Sequence, residues 1–216
     1  MKNSVAPSRR SVAKSVAWTV PVIAVGTAAP AASASTTATP PGLQGWVQVT
    51  ETCDARTGAR LGINGAGSYP DRGLWVYNTT PATTITNASI TFYFPTTMNL
   101  TWSYASGGST QWTLPTKDPS APAVTGMTAY TTRYTGAFAY VKGNPVYSYA
   151  LGQPAFQTQT LSYSYCLSAV RAYARRTVTV DGKQISFLRG PITLQPSSAA
   201  PRANTAATVH TTGDLI

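Results

Sequence analysis

The side chains that carry most enzyme chemistry are scarce in this chain: 6 Asp and Glu against 16 Lys and Arg in 216 residues, with one histidine and two cysteines. Each shortage excludes something. A Ser-His-Asp or Cys-His site needs an imidazole held by a rigid shell, and the single His210 lies close to the end of the sequence. Zinc catalysis usually recruits two or three histidines. A glycosidase needs two carboxyls at a set separation. Asp181 is committed to a turn, Asp214 lies in the tail and Asp118 precedes Pro119 in a loop, so only Glu51, Asp54 and Asp71 remain to cluster. Those three lack the dense Asp/Asn/Gly spacing of a calcium loop. There is no phosphate-binding glycine loop. The expectation is a protein without enzymatic activity, cofactor or metal.

The cysteines, Cys53 and Cys166, show no CxxC spacing and have no histidine near them. An even pair in an oxidising compartment reads as one disulfide. Both lie in strand-like sequence, so the bond is expected to staple an early strand to a late one. Charged residues make up 10 % of the chain, against about 25 % in a typical soluble protein. Long apolar runs are also missing: the greasiest stretch, 16–29, is interrupted by Thr19, Pro21 and Gly26. It is too short for a spanning helix of about 20 apolar residues.

That stretch has a different meaning. Ser8-Arg9-Arg10-Ser11-Val12-Ala13-Lys14 is a basic start, 16–29 a short apolar middle, and Ala32-Ser33-Ala34 a small-residue cleavage site before Ser35. The three together read as an export signal over residues 1–34. Arg9, Arg10 and Lys14 match the twin-arginine pattern, with Val12 and Ala13 in place of the usual larger apolar pair; the general secretory route is the competing reading. The wording from Arg9 to Val25 resembles leaders of exported proteins from high-GC Gram-positive actinobacteria. The resemblance implies lineage and route: export machinery and signal peptidase as partners, and a secreted or cell-surface destination.

Lys2, Arg9, Arg10 and Lys14 leave with the signal, so the remaining 12 basic and 6 acidic residues give a net charge of +6. Arg171, Arg175, Arg176, Lys183 and Arg189 form the one basic cluster. It is either a solvated face or a contact for a polyanion such as a wall polymer or nucleic acid.

Residues 35–42 read as a linker, 43–195 as a β domain and 196–216 as a flexible tail. Short β-rich runs recur at 46–53, 73–77, 90–94, 111–114, 129–141 and 146–151. Met98, Leu100, Trp102 and Tyr104 alternate with polar residues and share one face. The longest run, 156–173, sets Leu161, Tyr163 and Tyr165 opposite Ser162, Ser164 and Cys166. In 177–187, Asp181-Gly182 between alternating runs specifies a two-residue type I′ hairpin, because both positions need positive φ. Its register pairs Val180 with Lys183 and Val178 with Ile185, and places Val178, Val180, Ile185 and Phe187 on one face. Many short strands without a convincing helix predict an all-β, antiparallel β-sandwich, immunoglobulin-like or Greek-key. Trp75 between the two cysteines is analogous to the immunoglobulin pattern.

Aromatics are the one excess. Beyond the leader the chain keeps Trp46, Trp75, Trp102, Trp112 and twelve tyrosines. Such rings build cores and cross-strand pairs. Exposed on a sheet, they stack on sugars, and Tyr147 with Tyr149, or Tyr163 with Tyr165, share a face by period two. The expected role is an extracellular or cell-wall-associated interaction protein that contacts a wall polymer or another surface protein. The alternatives are a glycan-binding module and, third, a secreted hydrolase.

Overall fold

Asp181 and Gly182 adopt φ of 48° and 79°, and the hairpin they close has the expected register, Val180 opposite Lys183 and Val178 opposite Ile185. The turn is tied down from outside: the Asp181 carboxylate accepts from the Thr84 amide at 2.8 Å, and its own N–H donates to the Thr84 carbonyl at 2.9 Å. The computed structural model describes residues 39–68 and 71–194, and the backbone of 205–208. The leader with Arg9, Arg10, Lys14, Ala32, Ala34 and Ser35, the first part of the linker, and His210 and Asp214 of the tail lie outside the described residues.

Among the described residues fourteen strands follow in chain order: β1 (Gly42–Gln44), β2 (Gln48–Asp54), β3 (Gly58–Asn64), β4 (Trp75–Tyr77), β5 (Ile85–Pro95), β6 (Trp102–Tyr104), β7 (Thr116–Lys117), β8 (Met127–Arg133), β9 (Phe138–Val141), β10 (Tyr147–Ala150), β11 (Ala155–Thr158), β12 (Val170–Val180), β13 (Lys183–Leu194) and β14 (Thr205–Thr208). Every pairing between them is antiparallel. They form three sheets, ordered β1-β4-β10-β9, β14-β2-β3-β11-β6 and β13-β12-β5-β8-β7. The all-β sandwich read from the alternation is therefore the architecture, with its inward faces divided among three sheets.

One apolar core joins them. Val76 and Ala150 come from the first sheet, Val49, Leu61, Ile63 and Phe156 from the second, Ile90, Phe92, Phe94, Tyr130 and Val178 from the third. Aliphatic residues are few, so rings fill the centre. Trp112 is fully buried, its indole N–H donates to the Gly152 carbonyl at 2.8 Å, and its ring lies 4.9 Å from Tyr134. Met98, Leu100 and Trp102 point inward as their alternation requires.

Four local expectations are corrected. Residues 156–173 are not one strand: β11 stops at Thr158, and Tyr163–Leu167 is a 3-10 helix. Ser162 caps it, its hydroxyl accepting from the Ser164 amide at 3.3 Å, and such local bonding competes with a sheet ladder. Cys166 therefore lies on this helical turn rather than on a strand. Around Gln111–Leu114 only Trp112 makes a bridge, to Tyr134, while Thr116–Lys117, just before the loop at Asp118, pairs with β8. β3 was not expected, although Ala59, Leu61 and Ile63 alternate on its buried face; Gly58 and Gly62 lower its strand propensity.

The Cys53–Cys166 disulfide forms, with Cα atoms 5.8 Å apart across 113 positions of sequence. Among the described residues no helix is long and apolar enough to cross a membrane.

Candidate functional site

Tyr147 opposes Tyr77, and Tyr149 opposes Trp75, so period two sets all four rings on one face of the first sheet. The alternate residues Val76 and Ser148 are buried on the other face. Trp75 is only 6 % exposed, although it lies outside the apolar core cluster: its neighbours cover it. Tyr147 meets it edge-on at 5.3 Å, and Tyr149 lies 5.0 Å away at a tilt of 34°. A Cβ on Gly45, whose φ is +76°, would overlap the indole, so only glycine lets the chain pass so close. The indole N–H donates to the Arg72 carbonyl. In the immunoglobulin pattern the tryptophan packs on the disulfide; Trp75 instead faces away from the core.

The second tyrosine pair separates. Tyr163 and Tyr165 stand on the 3-10 helix, where residues two apart point in different directions. Tyr163 is exposed, whereas the Tyr165 hydroxyl donates to the Thr97 carbonyl at 3.0 Å. They do not make a shared stacking face.

The basic cluster also divides. Arg171 and Lys183 are exposed, and Arg175 donates to the Tyr93 hydroxyl at 3.2 Å. Arg176 turns inward, two positions before Val178 on the same alternating face. It is 3 % exposed, and neither terminal guanidinium nitrogen has a hydrogen-bond partner. Its guanidinium lies over the Phe187 ring at 5.6 Å. Across the ladder, Ala174 pairs with Arg189. There the register shifts between Ala172 and Ala174, with Gly190 and Pro191 of β13 lying opposite Tyr173. A bulge of this kind resets which side chains face inward. Arg189 and Ile192 consequently line the same pocket, together with Arg176, Trp46, Val47 and Val49. The Arg189 guanidinium lies 4.6 Å from the centre of the Trp46 ring. Burial, and then the neighbouring Arg189 charge, push Arg176 down to about 10.

The carboxyls do not assemble. Glu51 points between the sheets, 2 % exposed, with no partner for either oxygen, and burial raises it to about 7. Asp54 serves its own turn, accepting from the Arg56 and Thr57 amides at 2.8 and 2.9 Å; these bonds hold it below the usual carboxylate range. Asp71 is exposed on a loop. Glu51 does come within 4.8 Å of both cysteine sulfurs, but those sulfurs are joined to each other, which leaves one carboxylate and no ligand set.

A depression of about 210 Å³ lies over the second sheet between Thr50, Arg60, Asn64 and Gln157 and holds no acid–base pair. Arg176 was within reach of sequence reasoning, because the alternation through Val178 and Val180 extends back to it. Arg189 was not, because the bulge interrupts the period. No protein-family model matches this chain, and no curated protein or solved structure matches it either.

Proposed function

We propose that this is an exported, non-enzymatic β-sandwich that acts outside the cell as an interaction module, and that it contacts a glycan through the aromatic face of the first sheet. One observation carries the reading: β1, β4, β9 and β10 contain no charged residue, yet on the face away from the core they gather the half-buried Tyr77, Tyr147 and Tyr149 around a covered Trp75. Such a face suits a neutral, hydroxyl-rich partner, whose C–H faces stack on rings and whose hydroxyls meet the phenols. The rings are inclined, Tyr147 to Tyr149 by 58° at 6.3 Å. They offer separate stacking positions rather than a flat shelf. The export signal and the disulfide support a secreted or cell-surface setting.

The test is a glycan array and a wall-fraction pull-down with the exported protein, repeated with Tyr147→Ala and Tyr149→Ala combined. Base–aromatic stacking, as a guide, is worth about 1–3 kcal/mol per ring, so the double variant should lose at least about tenfold in affinity. Binding of wall protein but no glycan would favour the surface-protein reading. Glycan binding unchanged in the double variant would move the contact elsewhere.

A further inference from the structure

Glu51 makes no contact that explains its burial. It is 2 % exposed, and neither carboxyl oxygen has a hydrogen-bond partner. Strand alternation would be satisfied there by an aliphatic residue, as it is at Val49 two positions earlier. A buried polar group without a partner costs stability, and a break of this kind in an otherwise consistent core points to a use. What Glu51 faces is the Cys53–Cys166 bond: a carboxyl oxygen and the two sulfurs all lie within 4.8 Å of one another. The other ionisable groups of the elements around it are engaged or turned away. Arg60 of β3 is on the exposed face of its strand and donates to Thr160. Asp54 is held in its own turn. Of the two tyrosines on the 3-10 helix, Tyr163 is exposed and Tyr165 donates to Thr97. Lys183 of β13 is exposed, Arg189 stacks on Trp46, and Arg176 of β12 lies over Phe187. β14 carries no ionisable residue.

The two sulfurs are not equivalent. Cys53 is half-buried on β2, whereas Cys166 is buried on the helical turn. A thiolate arriving from solvent therefore attacks Cys53, and the Cys166 sulfur is expelled. It is expelled into an apolar site, where a thiolate is disfavoured, so it needs a proton. We propose that Glu51 supplies that proton when an external dithiol opens the Cys53–Cys166 bond, and takes it back when the bond closes, so that this disulfide exchanges within the folded domain. In the opening step the attacking thiolate bonds to Cys53 Sγ. The electron pair of the S–S bond leaves with Cys166 Sγ, and the Glu51 proton moves to that sulfur. The second thiol of the reagent then displaces Cys53, which leaves with that thiol's proton. The reagent departs as a disulfide, and two electrons have passed to the protein. Closure with a small-molecule disulfide as oxidant runs the steps in reverse: Cys166 attacks the mixed disulfide at Cys53, and the Glu51 carboxylate accepts its proton. Burial holds this carboxyl at about 7, so both of its forms are populated in the neutral range, as a group that both gives and takes a proton requires.

The experiment follows the opening of the bond by dithiothreitol in the oxidised, folded protein between pH 5.5 and pH 9. Each second-order rate constant is referred to the concentration of the reagent's thiolate. In the parent this constant should be level below about 7 and fall above it, as Glu51 loses the proton that it donates. Glu51→Gln keeps the shape and removes the acid. Its constant should be level throughout, and at pH 6 about a hundredfold below the parent's, the lower end of what general acid catalysis contributes. Glu51→Met gives the same readout if the amide variant does not fold, and the bend in the parent's profile is a test without either. In urea, with the carboxyl back in water, the bend near 7 should vanish. The proposal is overturned if the folded parent's constant is level through 7, if the bend survives in urea, or if a variant's profile runs parallel to the parent's, which is what a purely structural effect gives.

Discussion

Glu51 and Arg176 are two buried ionisable groups of opposite sign, each turned into the interior by strand alternation and each without a hydrogen-bond partner. They solve the same problem differently. A carboxyl deprived of water can keep its proton, and burial raises Glu51 to about 7. A guanidinium has no such exit: pushed down to about 10, Arg176 remains charged across the whole biological range. The lone acid is therefore self-consistent as a neutral group, while the lone base stays charged and relies on the Phe187 ring. Only the group that can shed its charge is free to exchange a proton.

The largest effect expected is on the Glu51 side. The disulfide lies beside that carboxyl and closes a separation of 113 residues. Replacing Cys53 and Cys166 by Ser should lower stability by about 4–5 kcal/mol on the chain-entropy account, measured by urea unfolding at pH 7. Opening the staple should also admit water to Glu51 and bring its titration back toward 4.5, its ordinary value. A carboxyl signal still titrating near 7 in the double variant would show that the disulfide does not shield it.

The next effect contrasts the two groups by pH. Below 4.5 the Glu51 carboxyl is protonated in both the folded and the unfolded chain. Between 4.5 and about 7 the unfolded chain releases its proton first, so stability falls as pH rises. Above 7 the deficit levels at roughly 3 kcal/mol, at ~1.4 kcal/mol per pH unit. Glu51→Met should remove that slope, with the gain visible at pH 8 and absent at pH 4. Arg176→Met should change stability by the same amount at pH 5 and pH 8, because the guanidinium is charged in both states at both values. A pH-dependent gain from Arg176→Met, or a flat one from Glu51→Met, would break the comparison.

The smallest effect measures how far a ring substitutes for an acceptor. Phe187 is 41 % exposed, so its own burial contributes little. Phe187→Leu should cost about 0.5–1 kcal/mol through the lost cation–π contact, and no more. Melting curves of the variant and the parent test it: a loss well above about 1 kcal/mol would show that the ring is held by packing rather than by the cation.

Legibility followed the range of the interaction. The hairpin at Asp181-Gly182 was readable to the residue because a type I′ turn is a local demand for positive φ. Tyr147 and Tyr149 were readable as a pair because they lie on one short, unbroken strand. The same rule applied to Leu161, Tyr163 and Tyr165 failed, because the Ser162 hydroxyl captures a backbone N–H and winds the segment into a helical turn. Arg176 was hidden by its residue type: an arginine is assumed to face water, although its position in the alternation says otherwise.

From sequence alone came the strand periodicities, the turn, the cysteine pairing and the poverty of catalytic groups. Each depends on residues next to one another or on counts. Only the tertiary structure decided that three sheets share one core, that Trp75 and Tyr77 from β4 join Tyr147 and Tyr149 from β10, and that a bulge at Gly190-Pro191 brings Arg189 round to Arg176. Those outcomes depend on which strands pair and in what register. That choice is made by burial summed over residues up to a hundred positions apart, which no local pattern encodes.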